Sequence, residues 1–240
     1  MDVSGKFLVD GEWLQAAQKA PVRNPANIKE QVGEVALCSP EDVQAAIDAA
    51  QRAFPQWAKS DVQERGKRLK QAAQALKKDT EELVSLYVRE NGKVLVEAKK
   101  DLLRCIEILD QGGEVLEKWW QSEVWPDGPQ KVQFRRRPRG VTAVISPWNS
   151  PLILTFKRAI PAILTGNTVV VKPASDCPLT VIRMLKVVAD HLPKGVLNIV
   201  TGSGSMIGNV LTSDERVRTI AFTGSTETGK VIMRQAASTV

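Results

Sequence analysis

Histidine occurs once in this 240-residue sequence, at His191, and cysteine three times, at Cys38, Cys105 and Cys177. The cysteines are widely and irregularly spaced and no C-x-x-C pair is present. Neither a zinc site nor a disulfide scaffold is indicated; reduced thiols and no metal are the expectation. His191 stands just before Pro193 at the end of a helical pattern, which suits a dipole partner or a surface residue rather than a catalytic base. Long apolar runs are missing at the start. Phe7-Leu8-Val9 is too short for a signal-peptide core or a membrane span, so a cytoplasmic protein with no membrane contact is expected. The formal net charge is +6, with its clearest cluster at Arg135, Arg136, Arg137 and Arg139. No aromatic residues interleave with that cluster to stack bases. It reads as a solvated hairpin edge or a subunit contact that blunts strand pairing, and no nucleic-acid partner is expected.

What is present is an ordinary globular composition, 43% hydrophobic and 25% charged, in a chain long enough to bury a sizeable core. Residues 7–14 (FLVDGEWL) signal a hairpin, since Asp10-Gly11 fits a type I′ turn. Residues 32–37 suit a short strand. Ser39 then fits an N-cap with Pro40 at the first helical position and acidic residues in the first turn. The helix that follows places Val43, Ala46, Ile47, Ala50 and Phe54 on one face. Ser60 to Gln63 fits a capping box that opens a second helix through Lys78. Asp79 to Glu82 fits it loosely for a third, which Asn91-Gly92 ends. Residues 94–120 predict a fourth, interrupted at Gly112-Gly113. These helices carry no cluster of catalytic residue types and read as packing elements. Residues 125–128 (WPDG) break the helical pattern, and residues 131–137 alternate apolar and basic side chains as an exposed strand would.

From Gly140 onward the chain alternates strand and helix. Strands are predicted near 141–145, 168–172, 196–200 and 219–222, with helices between them and another over 229–237. That is the pattern of a doubly wound parallel sheet in an α/β fold. Pro151 suits the first turn of a helix, and Pro161 inside the same apolar run predicts a kink or an early stop. In such sheets ligands sit outside the carboxyl ends of the strands, where Asn149 and Lys172 fall. Gly204 and Gly208 follow the third of these strands in a pattern that departs from G-x-G-x-x-G; a tight strand-to-helix turn explains them as well as a cofactor does. Residues 223–226 (TGST) also join a strand to a helix. Taken alone they fit an N-cap at Ser225 or an anion site at a helix start equally well.

Three motifs in order, SPWNSPL at 146–152, TGNTVVVKPAS at 165–175 and FTGSTETG at 222–229, resemble the aldehyde dehydrogenase superfamily. The helices and hairpin before Gly140 are similar to that family's amino-terminal half. The resemblance covers essentially the whole chain. It implies a Rossmann-like doubly wound sheet, here incomplete, with N-terminal helices and a projecting β-hairpin. It implies NAD or NADP as cofactor and a small-molecule aldehyde as substrate. Ile145, Ser146, Pro147, Trp148, Lys172, Ala174, Ser175, Gly204, Gly208, Thr223, Gly224 and Ser225 are the implied cofactor-binding residues. Lys172 would meet the adenosine ribose hydroxyls, and the Thr223–Ser225 turn a phosphate. Asn149 is the implied catalytic residue, an amide donor to the tetrahedral thiohemiacetal.

Two departures from the family pattern carry information. NAD-preferring members often have Glu where this chain has Ser175. Serine removes a carboxylate that would repel a 2′-phosphate, so NADP is an expected cofactor alongside NAD. Lys157 matches a substrate-tunnel position that is often aromatic, which suggests an anionic aldehyde; a solvated helix face explains it equally well. Family members are also longer, and their nucleophilic cysteine and Glu-Leu-Gly-Gly base motif are not found in this sequence. The expectation is therefore an amino-terminal half without its catalytic domain, and inactive alone. Its implied parts are 1–121 as the helical part of the cofactor domain, 122–139 as the hairpin of the oligomerisation region, and 140–240 as the Rossmann-like core. The full-length protein is expected as a homodimer or homotetramer. The alternative is a non-catalytic nucleotide-binding or dimerising fragment.

Overall fold

The computed structural model describes residues 4–120, 123–127 and 130–239. Residues 122, 128 and 129 of the expected hairpin region lie outside these.

The chain opens with strands β1 (Lys6–Val9) and β2 (Glu12–Gln15), paired antiparallel across Asp10-Gly11. A longer hairpin follows, β3 (Gln18–Asn24) with β4 (Asn27–Leu37). Only its last part, 32–37, is signalled by an apolar run. Four helices come next: α1 (Pro40–Lys59), α2 (Val62–Lys78), α3 (Thr80–Asn91) and α4 (Leu95–Trp120). Strands β5 (Glu123–Asp127) and β6 (Gln130–Phe134) form a separate two-stranded ribbon. The remainder alternates: β7 (Val141–Ile145), α5 (Pro151–Leu164), β8 (Thr168–Lys172), α6 (Leu179–Ala189), β9 (Leu197–Ile199), α7 (Gly204–Ser213), β10 (Val217–Phe222) and α8 (Thr226–Ala236).

One six-stranded sheet organises these elements, in the order β10-β7-β8-β9-β1-β2. The pairs β10–β7, β7–β8 and β8–β9 are parallel, and the N-terminal hairpin closes one edge antiparallel. Each strand of a sheet covered on both faces must be apolar on both sides, and β8 is buried at every position. Val144, Val169 and Val171 face a core built with α2 to α6. Val141, Ala143 and Val170 face a second core built with α1 and α7. The register aligns Ile145 with both Lys172 and Phe222. Three strands therefore end in one row, and the loops that follow them share one edge of the sheet.

Four local expectations are corrected. Gly112-Gly113 does not interrupt α4, which runs unbroken to Trp120. A Cβ on Gly113 would lie 2.7 Å from the Gly66 Cα of α2, so the glycines serve a close helix–helix approach that outweighs their poor propensity. Pro161 does not stop α5. The bond it removes would go to the Lys157 carbonyl, and both residues lie on the exposed side of the helix. The second helix is capped by Asp61, not Ser60: its carboxylate accepts from the Gln63 and Glu64 N–H groups. The capping box sits instead at Ser39 and Asp42. Finally, α8 begins at Thr226, one turn before the expected Gly229, because Ser225 caps it through the Thr228 N–H.

Candidate functional site

A cleft of about 1020 Å³ opens where β7, β8 and β10 end. Its walls are the loops after those strands and one face each of α7 and α8. Ile145, Ser146, Pro147, Trp148, Asn149, Lys172, Gly204, Gly208, Thr223, Gly224 and Ser225 all line it. The structure thus brings together residues from four stretches of sequence. Ala174 and Ser175 are not in its lining. Ser175 is exposed, and its hydroxyl donates to the Gly202 carbonyl at 3.0 Å. Lys157 is exposed on α5, away from the cleft, where its charge acts on Cys105 of α4.

Lys172 is the dominant charge in the cleft wall. It is 6% exposed, yet among the described residues its ammonium has one acceptor, the Pro173 carbonyl at 3.4 Å. An ammonium carries three donors, so most of its capacity is unspent. Burial lowers its pKa, against a smaller opposing pull from Asp176. Thr223 is a second incomplete group. Its N–H extends the sheet by donating to the Ile145 carbonyl at 3.1 Å, but its buried Oγ1 has no hydrogen-bond partner among the described residues. Buried polar atoms are normally paired; in this wall Lys172 keeps spare donors and Thr223 Oγ1 has no partner, as Thr168 Oγ1 at the far end of β8 also has none.

The helix starts add to this. Ser203 caps α7 and Ser225 caps α8, each accepting from an N–H of the first turn. The N-cap reading of Ser225 is thus realised. It leaves earlier N–H groups of that turn without an intrahelical partner at the positive end of the helix. Gly204 and Gly208 face open space: a Cβ on either would meet nothing within 4 Å. Packing within the protein does not require glycine there. Gly224 differs, since a Cβ would run into the Phe222 ring.

Sequence reasoning missed the rest of the two helix faces. On α7, Ser205, Asn209 and Thr212 join the lining, and on α8, Glu227, Thr228, Val231, Ile232 and Gln235. The signal was the four-residue interval from Gly204 through Gly208 to Thr212, one face of a helix. Thr212 and Gln235 join the two helices through a 2.6 Å hydrogen bond.

Asn149 sits at the cleft mouth, exposed, and its amide has no hydrogen-bond partner among the described residues. The preceding Trp148 carbonyl is held by the Asn91 amide at 2.7 Å and the Cys177 thiol at 3.3 Å. None of the three thiols is prepared as a nucleophile, which requires an accessible thiolate. All are buried. Burial pushes Cys177 up to about 12 and Cys38 to about 11, and raises Cys105 well above the ordinary thiol value.

Comparison with known proteins gives this arrangement a context. The description "Aldehyde dehydrogenase family" matches residues 13–240. The D-glyceraldehyde dehydrogenase (NADP(+)) of Picrophilus torridus is 38% identical over 239 residues, covering 96% of this chain and 48% of that protein. The succinate-semialdehyde dehydrogenase [NADP(+)] of Escherichia coli is 35% identical, with 97% and 49% covered. A crystal structure of betaine aldehyde dehydrogenase from Staphylococcus aureus in complex with NAD+ superposes with a TM-score of 0.93 at 33% identity, covering 99% of this chain and 48% of that one. The chain spans about half the length of the curated relatives it matches. With its sheet order, its cleft at the strand ends and this match over nearly all its residues, the chain belongs to the aldehyde dehydrogenase family.

Proposed function

We propose that this chain supplies the cofactor-binding half of an NAD(P)-dependent oxidation of an aldehyde to a carboxylic acid. The observation that carries the reading is the buried Lys172 ammonium with its spare donors, beside Thr223, in a cleft whose Gly204 and Gly208 leave open room. These residues fit a dinucleotide. Lys172 donates to ribose hydroxyls, and the Thr223–Ser225 turn with the start of α8 binds a phosphate. The open face of α7 lies beside the adenine, and residues 145–148 line the groove. The absence of a carboxylate at Ser175 admits NADP as well as NAD. When bound, the nicotinamide ring supplies the acceptor for the hydride that leaves the aldehyde carbon.

Asn149 donates its amide to the oxygen that becomes negative when the aldehyde is attacked. A donor of this kind is worth roughly a hundredfold or more in turnover. The attacking thiolate is not among these residues, because all three thiols are buried and held protonated. The ribbon of β5 and β6 serves a homodimer or homotetramer, and residues 1–121 and 140–240 form one cofactor unit on either side of it.

The test is formation of reduced cofactor by the 240-residue chain with a panel of aldehydes, beside a direct measurement of NAD and NADP binding. Binding without turnover supports the reading. Turnover by the purified chain would overturn the assignment of the nucleophile, and failure to bind either dinucleotide would overturn the cleft. A second reading, a fragment that binds nucleotide or dimerises without catalysis, rests on the same protonated thiols. It is distinguished by whether adding a cysteine-bearing catalytic half restores turnover.

A further inference from the structure

The loop that carries Asn149 has little side-chain support of its own. Trp148 is 62% exposed. Ser150 occupies the N-cap of α5 without a side-chain capping bond. Ser146 anchors the start of the loop through Thr155 and the Lys172 carbonyl; next to Asn149 the anchor is the Trp148 carbonyl oxygen, which accepts from Asn91 Nδ2 at 2.7 Å and from Cys177 Sγ at 3.3 Å. That oxygen and the Asn149 N–H are opposite ends of one planar peptide unit. Holding the oxygen therefore sets the direction in which the chain enters Asn149. We propose that Asn91, together with Cys177, is a positioning residue that aims the Asn149 side chain. The inference rests on the oxyanion role given to Asn149 under Proposed function.

The two donors come from different elements, and each is itself anchored. Asn91 is the last residue of α3, which ends on Gly92 in the left-handed conformation (φ 77) with its N–H on the Val88 carbonyl at 2.9 Å. Cys177 lies just before α6. Glu90 ties the two together: 2% exposed, it accepts from the Leu179 N–H, from the Thr180 N–H at 2.9 Å and from the Thr180 hydroxyl at 2.6 Å. None of Glu90, Asn91 and Cys177 lines the cleft, so they reach the reaction only through Trp148 and Asn149.

The test compares Asn91→Ala, Cys177→Ala and Cys177→Ser in the active enzyme that contains this chain, each also in an Asn149→Ala background. Misplacing a reacting group by about 1 Å costs about a hundredfold, so kcat in Asn91→Ala should fall roughly tenfold to a hundredfold. NADP affinity should stay within about twofold, because the residue does not touch the cleft. Cys177→Ser keeps a donor and should retain kcat where Cys177→Ala loses it. In the Asn149→Ala background Asn91→Ala should add no further loss. The independent readout is the fluorine resonance of 5-fluorotryptophan at position 148 in the chain alone, which should shift or broaden in Asn91→Ala and Cys177→Ala and recover in Cys177→Ser. Undiminished kcat in Asn91→Ala while Asn149→Ala is crippled would overturn the inference, as would full additivity of the two. Full turnover in Asn149→Ala overturns the oxyanion role itself, and with it the purpose of the clamp. The fluorine spectrum would then still report separately whether the clamp holds the loop. If Asn91→Ala does not fold, the Cys177 pair decides.

Discussion

Replacing Lys172 with methionine should stabilise the free chain and weaken its complex with nucleotide. The residue is 6% exposed, and its ammonium meets one carbonyl at 3.4 Å. A charge that is dehydrated and poorly paired costs folding energy. Methionine has a similar length and asks for no partner. Removing a poorly compensated buried charge gains on the order of 1 kcal/mol, or an upward Tm shift of about 2–4 °C for a chain of this size. The pH dependence has a defined sign. Burial depresses the folded pKa below the model-compound value of 10.5. Between those two values the unfolded chain binds more protons, so stability rises with pH there. The rise should vanish in Lys172→Met. Binding moves the other way. A hydrogen bond to a charged group contributes about 1.5–3 kcal/mol, so losing one weakens affinity roughly tenfold to a hundredfold. Thermal melts of the free chain and calorimetric titration with NADP measure the two halves. A lower Tm with an unchanged Kd would refute the reasoning, because it would show that Lys172 serves the fold and not the ligand.

Glu90 gives a second pH signature. Burial outweighs its three hydrogen bonds and raises its carboxyl to about 7 from 4.5. The folded state keeps its proton longer, so this group's contribution should decline by about 3 kcal/mol as pH rises from 4.5 to 7, and Glu90→Gln should flatten that decline in melts across the window. Thr223→Val removes a buried hydroxyl with no partner among the described residues and should raise the Tm by about 2–4 °C; a fall would show that the hydroxyl is paired. Under the proposed cofactor reading, Ser175→Glu should weaken NADP by about tenfold or more while sparing NAD, because a carboxylate there would repel a 2′-phosphate. An unchanged ratio of the two Kd values would remove Ser175 from cofactor choice.

The parts of the fold that were readable are those whose signal is local. Residues 141–145 and 168–172 are short β-branched runs because both faces of their sheet are covered, and 196–200, between two glycine turns, reads the same way. The β3–β4 hairpin escaped because it has a weak inner face. Of its residues, Val22 and Val35 are buried against Leu86 and Leu179, and Ala36 against the α1 side, while Lys19, Arg23, Lys29 and Glu30 dominate its pattern. Gly112-Gly113 misled for the opposite reason. In sequence a glycine pair reads as a break, but the cause lies in α2, where Gly66 lets two backbones approach. That cause is tertiary and leaves no trace in the residues around it.

The site divides along the same line, and the division explains what kind of residue stays hidden. Lys172 and the Thr223–Ser225 turn were legible because they end or directly follow strands, and parallel strands in register bring their ends into one row whatever the rest of the chain does. Asn149 and Ser175 both lie in the loops beyond β7 and β8, and distance from the strand does not separate them: Asn149 lines the cleft, while the Ser175 hydroxyl turns to Gly202. Asn91 is 57 residues from the carbonyl it holds, in a helix with no catalytic residue types, and no spacing rule links the two. A residue that touches a ligand is constrained by the strand that carries it. A residue that aims another is constrained only by the meeting of two elements, here the end of α3 and the approach to α6 joined by Glu90. Such residues therefore become visible when buried hydrogen bonds are traced outward from the cleft. On that path Trp148 is the junction: its side chain contributes exposure, and its carbonyl carries the connection to Asn149.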